Sequence, residues 1–413
     1  MNVDKAKFRG PSGLRANHPS SIGVAVPGQS ERNRMACPES DKDLAHLGED
    51  AARRVRMTIS CHDTDRLEKV TGAGEVFELN GTAVQRMHNG LLIEEGCYYG
   101  PWMTEIISAL NGHHEPQEEV VFHEIVERLV ASEPDATMFE LGSFWAYYSM
   151  WFRQRTSPQN RIVDMEPDPA YLETGQRNFA LNGMGSTFVH GAVGTTPGET
   201  TLFTTESTGE TINVRQYDLA SLMSETGVER IGLLMVDIQG FETPLIARAS
   251  ELLRAGKVRF MVVSTHHHLI SGDALTHQQV LAQLIEDGAH VIAEHTVGES
   301  FSGDGLVAVS FDRRDEDFTV DVSHARYKES LFGELEPDLQ RSFDELAIRR
   351  AETAGLVHEL AMARGETAGH ANDLATAGAQ AAEAKRALSD ITQSHTWRFT
   401  RPLRALITCL RRN

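Results

Sequence analysis

Between residues 136 and 312, short runs of continuous apolar residues alternate with stretches whose apolar positions recur every three to four residues. The runs TMFEL, RIVDME, STFVHGAV, IGLLMVDI, RFMVVST, AHVIAEH and GLVAVSF predict strands that are apolar on both faces. Between them, PAYLETGQRNFALNG, PLIARASELLRAG and THQQVLAQLIEDG predict amphipathic helices. Strands of that kind are buried on both sides. The pattern therefore implies an α/β fold, a mainly parallel seven-stranded sheet with helices over each face.

The flanks have a different texture. Residues 1–52 are rich in Ser, Pro, Gly and charge without a sustained apolar period, and are expected to be mostly disordered. Over residues 53–135 the turn signals Asn80-Gly81 and Asn89-Gly90 predict hairpins in a small β/α element, a candidate lid or acceptor wall. Helical spacing follows at Ile106, Ile107 and Leu110, breaks at NGHHEP, and resumes at Val120, Val121, Ile125 and Leu129. Residues 136–315 then form the main domain. Over residues 335–393, Leu339, Phe343, Leu346, Val357, Leu360, Leu374 and Leu388 fit a heptad frame, which Arg350, Arg364 and Gly378 also share. A long helix, a helical hairpin or a weak coiled coil would satisfy it, and a coiled coil would make a homo-oligomer. The glycines at 355, 365, 369 and 378 argue against a rigid rod.

Charge narrows the function. A net charge of -20 disfavours nucleic acid as a partner. The N-terminus lacks the apolar core of a secretory signal, no apolar run reaches membrane-spanning length, and four scattered cysteines form neither a zinc motif nor a disulfide framework. A cytoplasmic location is the expectation. Residues 394–413 invert the charge: Arg398, Arg401, Arg404, Arg411 and Arg412 stand among Trp397, Phe399, Leu403, Leu406 and Ile407 with no acid. That composition suits peripheral contact with an anionic membrane face or docking on a partner protein.

Sites in parallel sheets lie beyond the strands' carboxyl ends. The first strand ends in Glu140-x-Gly142, the second in Glu166, the fourth in Asp237 followed by Gly240 and Glu242, and the fifth in His266 and His267. After Gly142 the chain continues with Phe144, Trp145, Tyr147 and Tyr148, where a phosphate-binding turn would need further glycines. An acid-lined, aromatic turn suits an adenosine that carries a sulfonium cation, S-adenosylmethionine, better than NAD.

FELGSFWAYYS, VDMEPDPAYLETGQRNFALNG, VRQYDLASLM and IGLLMVDIQGFETPLIARASELL together resemble the FkbM-type S-adenosylmethionine-dependent methyltransferases, over about residues 136–310. VDIQGFE, similar to the family's Asp-x-x-Gly-x-Glu signature, is the most specific part. The resemblance implies a Rossmann-like methyltransferase sheet and methylation of a hydroxyl, often on a sugar. The chain departs from the family at Ala146 and Tyr148, where the first loop usually has glycines. SHTWRFTRPLRAL resembles the Ser-x-(Ser/Thr)-Trp-Arg-x-Thr-x-Pro-Leu-Arg ending of bacterial enzymes of surface-polysaccharide assembly.

The expected donor site comprises Glu140, Gly142, Ser143, Tyr147, Glu166, Asp168 and Ala192, with Glu166 accepting the ribose hydroxyls. Asp237 orients or deprotonates the acceptor, with His266 and His267 as candidate bases. Asp237 with His266 is also a candidate site for a divalent cation such as Mg2+. His113, His114, Glu115, Glu242, Glu299 and Asp304 are candidate contacts to a glycan or small-molecule hydroxyl acceptor. Two rivals are a catalytically degenerate scaffold in a polysaccharide assembly complex and a nucleotide-dependent sugar enzyme, the second needing phosphate-binding glycines that the chain lacks.

Overall fold

The computed structural model describes residue 44, residues 46–325 and residues 337–411, with backbone alone for 337–344. The chain divides into two units, Met1–Gly48 and Glu49–Asn413. In the first, Leu47 N closes a turn by donating to the Leu44 carbonyl at 3.0 Å. Most of the segment expected to be disordered, together with Cys37, Arg412 and the side chains of Leu339 and Phe343, lies outside the described residues.

The second unit opens with helix α1 (Glu49–Thr58), so residues 49–52, expected with the disordered segment, are helical. Ala52, Val55 and Thr58, spaced by three, are its buried face. Strands β1 (Val76–Leu79), β2 (Thr82–Arg86) and β3 (Leu92–Glu94) make a small antiparallel sheet. Asn80 and Gly81 both take positive φ, 52° and 84°, at the two-residue turn between β1 and β2. Helices α2 (Pro101–Ala109) and α3 (Pro116–Ser132) follow, each opened by proline in its first turn.

The main sheet is built from β4 (Met138–Leu141), β5 (Ile162–Glu166), β6 (Thr187–His190), β10 (Ile231–Val236), β11 (Val258–Thr265), β12 (His290–His295) and β13 (Gly305–Ser310). A second small sheet, β7 (Ala192–Val193), β8 (Thr200–Thr204) and β9 (Thr211–Tyr217), lies between β6 and β10 in sequence. Helices α4 (Tyr147–Arg155), α5 (Pro169–Leu181), α6 (Leu219–Thr226), α7 (Glu242–Arg254), α8 (His268–Ser271) and α9 (Thr276–Glu286) connect the strands. The main-sheet order is β12-β13-β11-β10-β4-β5-β6, parallel except for β13, which runs antiparallel to both neighbours. This is the expected Rossmann-like methyltransferase sheet, with seven strands. All residues of β4, β5, β10, β11 and β13 are buried, which explains their unbroken apolar runs. Strand order reverses between β4 and β10, so the crevice opens above that pair.

Helix α10 (Pro337–Gln393) is continuous over 57 residues, roughly 85 Å at 1.5 Å per residue, and all its side chains from 345 to 388 are exposed. Its four glycines do not interrupt it, and among the described residues it forms one helix rather than a hairpin. It is followed by α11 (His395–Phe399), capped by Ser394, and α12 (Arg401–Leu410). No helix among the described residues is long and apolar enough to cross a membrane.

Candidate functional site

A cavity of about 510 Å³ lies at the reversal point, walled by the turns after β4, β5 and β10 and by parts of both small elements. That volume fits a ligand the size of a substituted nucleoside. The β4 turn begins at Gly142, φ 79°, then places Phe144 at φ 41° and Ala146 at φ 58°. The backbone therefore takes a glycine-like path through two residues that pay for it in strain. Glu166 holds the path: its Oε2 accepts from Phe144 N at 3.0 Å and its Oε1 from Asp168 N at 2.9 Å. The aromatic side chains stack in pairs. Phe144 lies on Tyr171 at 3.6 Å between centroids, and Trp145 lies on Tyr98 at 4.5 Å, nearly parallel.

Of the expected donor residues, Glu140, Gly142, Ser143, Glu166, Asp168 and Ala192 line this cavity. The Ser143 hydroxyl is buried with no protein partner. Glu140 is largely committed to the fold: its Oε2 accepts from Ser149 N at the start of α4, beside Asp164. Asp168 caps α5 through Ala170 N and tethers the β8–β9 turn through Ser207. Tyr147 is a correction. It starts α4 and turns away from the cavity, its hydroxyl 3.0 Å from His88 Nδ1, while Tyr148 lines the wall instead. In a helix, neighbouring residues face about 100° apart, so a row of aromatics cannot share one surface.

Around Asp237 the geometry changes the expected roles. His266 Nε2 lies 3.1 Å from Asp237 Oδ1, its Nδ1 lies 2.8 Å from Glu242 Oε1, and Asp304 stands 3.8 Å away. Burial alone would lower the His266 pKa, but these carboxylates hold it well above its ordinary value. An imidazolium bound on both nitrogens has no lone pair for a proton or a metal, so neither the base nor the cation role fits His266. The Gln239 amide nitrogen lies 2.9 Å from His266 Nε2 and donates to Asp237 Oδ1 at 3.0 Å. His267 is also corrected: it caps α8, accepting from Leu269 N, and does not line the cavity. Glu242 is fully buried and also accepts from Gly240 N at 3.0 Å, so it orders the turn rather than meeting an acceptor. Asp304, pushed up to about 6 by burial, stands behind His266.

The NGHHEP segment splits. His114 and Glu115 line the cavity, whereas His113 is buried against His88 and Glu119 outside it. Glu119 lies within 2.5 Å of His114 Nδ1 through its Oε1, and that oxygen also accepts from His114 N at 2.7 Å. Glu299 is not in the wall; it accepts from the Thr296 amide and hydroxyl and pairs with His324. The strand-end rule could not find Tyr98, Glu118, Glu206 or Gln239, which line the cavity from other segments. Glu206 arrives on the β8–β9 hairpin, whose TLFTTESTGETINVRQY alternation is a strand signal.

The wall is acidic. Glu115, Glu118, Glu166 and Glu206 join Asp168 and Asp237 there, and among the described lining residues there is no lysine or arginine. Burial drives Glu166 up to about 8 and Glu118 to about 7, and Glu115 well above the usual carboxylate range. A site so lined stores carboxyl groups that ionise when a cation arrives, and it repels phosphate.

Residues 130–291 match the profile of the Methyltransferase FkbM domain. This stretch is a methyltransferase domain, which supports S-adenosylmethionine-dependent methylation. No curated protein matches the chain. Among solved structures, a ribosomal protein L11 methylase from Lactobacillus delbrueckii subsp. bulgaricus is 10% identical, covering 49% of this chain and 85% of its own at TM-score 0.30. An O-methyltransferase-like protein from Klebsiella pneumoniae is 15% identical, covering 45% and 78% at TM-score 0.30. M. capricolum TrmK, solved with S-adenosyl-homocysteine, is 9% identical, covering 47% and 74% at TM-score 0.29. Likenesses this slight carry no argument, and the class rests on the profile match and the sheet order.

Proposed function

We propose that the chain is an S-adenosylmethionine-dependent O-methyltransferase whose acceptor is a hydroxyl of a sugar in surface-polysaccharide or related glycan biosynthesis. The observation that carries the donor is the acidic, aromatic wall without lysine or arginine. It suits a sulfonium and an ammonium group and opposes the pyrophosphate that a nucleotide-dependent sugar enzyme would hold. Bound there, the donor supplies an electrophilic methyl group.

The chain's residues supply placement and a proton acceptor. Glu166 keeps lone pairs for ribose hydroxyls while its oxygens brace the β4 turn. Ser143 offers an unused hydroxyl. Asp237, paired with His266 Nε2, accepts a hydrogen bond from the acceptor hydroxyl and aims the hydroxyl oxygen at the methyl group in line. His114, set beside Glu119, takes the proton as the new C–O bond forms. The leaving group would be a neutral thioether, which keeps the electron pair of the broken sulfur–methyl bond.

The tail gives the acceptor's class its support. In α12 the exposed Leu403, Leu406, Ile407 and Leu410 fall at helical spacing on one side, with Arg401, Arg404 and Arg411 elsewhere around the helix. The Arg404 guanidinium covers the Trp397 ring at 3.6 Å. Such a helix lies flat on an anionic lipid surface, where lipid-linked glycans are assembled. Labelled methyl transfer from S-adenosylmethionine to a panel of glycosides and lipid-linked sugars, with acid-hydrolysed products analysed for methyl ethers, tests the reading. Donor binding without transfer to any hydroxyl would refute O-methylation, and absence of donor binding by a folded chain would favour the scaffold.

A further inference from the structure

Outside the cavity, Glu119 is the hub of a cluster fully enclosed by protein. Its Oε2 meets His113 Nδ1 in close contact and lies 3.8 Å from His88 Nδ1. His88 and His113 stack face to face at 4.0 Å, and Tyr147 brings its hydroxyl to 3.0 Å from His88 Nδ1. The three are 4%, 0% and 0% exposed, and one ligand atom from each lies within 4.8 Å of the others. Backbone packing builds this arrangement. Gly112, φ 91°, accepts from His88 N at 3.0 Å, and a Cβ on it would stand 2.2 Å from that same nitrogen. Only glycine lets the β2–β3 turn press on the loop carrying His113 and bring the two imidazoles to one carboxylate.

The geometry points to a divalent transition-metal site at His88, His113 and Glu119, with the Tyr147 hydroxyl placed as a fourth ligand. Two imidazole nitrogens, one carboxylate and one phenol oxygen, closed to water, suit a structural Zn2+ ion. Its binding replaces the contact between His113 and Glu119 and clamps the N-terminal sheet and α3 to α4. The site lies outside the cavity but shares Glu119 with His114, so its test reads ion binding and not methyl transfer.

The test uses the untagged full chain, stripped with chelator and reconstituted with Zn2+ or with Co2+ as a spectroscopic probe. About one ion per chain is expected, with a higher melting temperature and the visible bands of tetrahedral Co2+. His113→Ala and Glu119→Gln should weaken binding by more than the ~10–100-fold typical of an outer-shell change. Should those variants fail to fold, zinc-edge absorption of the loaded wild type decides: nitrogen and oxygen neighbours at ~2.0 Å with imidazole scattering support the site. A folded wild type that takes up no ion, a sulfur or six-oxygen shell, or undiminished binding in both folded variants overturns it.

Discussion

A methyl group placed on Gly142 would stand 1.7 Å from the carbonyl oxygen of Asp237. The turn after β4 and the tip of β10 thus meet backbone to backbone, and this contact sets the distance between the donor side of the cavity and Asp237. Gly142→Ala should therefore destabilise the fold by more than ~3 kcal/mol and abolish S-adenosylhomocysteine binding. Urea unfolding and calorimetry check both, and an alanine variant of near wild-type stability would contradict the contact.

The strained turn makes a graded prediction. Ala146 sits at φ 58° with ψ 37° and no exposure. Glycine there relieves ~1–2 kcal/mol of left-handed strain but loosens the unfolded chain by ~0.4–1 kcal/mol and removes a buried methyl. Ala146→Gly should stay within ~1 kcal/mol of neutral, while Ala146→Val, branched at Cβ, should lose more than ~2 kcal/mol. Equal effects from both substitutions in a denaturation series would rule out this backbone.

The buried carboxyls predict opposite pH trends with and without donor. Glu118 and Glu166 have folded pKa values of about 7 and about 8, above their unfolded values. The folded chain holds protons that the unfolded chain has already released, so their contribution to ligand-free stability falls as pH rises from about 5 to 8. A cationic donor favours the ionised carboxylates, so its affinity should rise over the same range. Isothermal calorimetry at several pH values reads this, and Glu166→Gln should flatten the trend.

Proton acceptance and acceptor placement separate at His114 and Asp237. His114→Ala should lower kcat by ~10²–10⁴-fold while leaving S-adenosylhomocysteine binding in place. His267→Ala should leave the rate nearly unchanged, because His267 caps α8 outside the cavity. An unchanged kcat in the His114 variant would move the base elsewhere.

Membrane contact by the tail has its own readout. Full-length chain should sediment with vesicles containing anionic phosphatidylglycerol at low salt, and less so as salt screens the arginines. Leu403→Glu with Leu406→Glu should abolish sedimentation without changing donor binding. Sedimentation that survives those substitutions would exclude α12 as the contact.

The sheet was legible in the sequence because β4, β5, β10, β11 and β13 are buried on both faces, which forces continuous apolar runs. Their carboxyl ends were legible for the same reason: Glu166 and Asp237 stand where each run stops. What those side chains touch was decided by tertiary structure. No spacing rule reveals that His266 is enclosed by Asp237 and Glu242, since its charge depends on groups brought near it by separate strands and turns. Nor does it show that adjacent His113 and His114 part company, one joining His88 and the other entering the cavity. Periodicity records which faces are buried along a single segment. Protonation, cavity walls and ligand sets arise where segments distant in sequence converge, and only the folded chain fixes that.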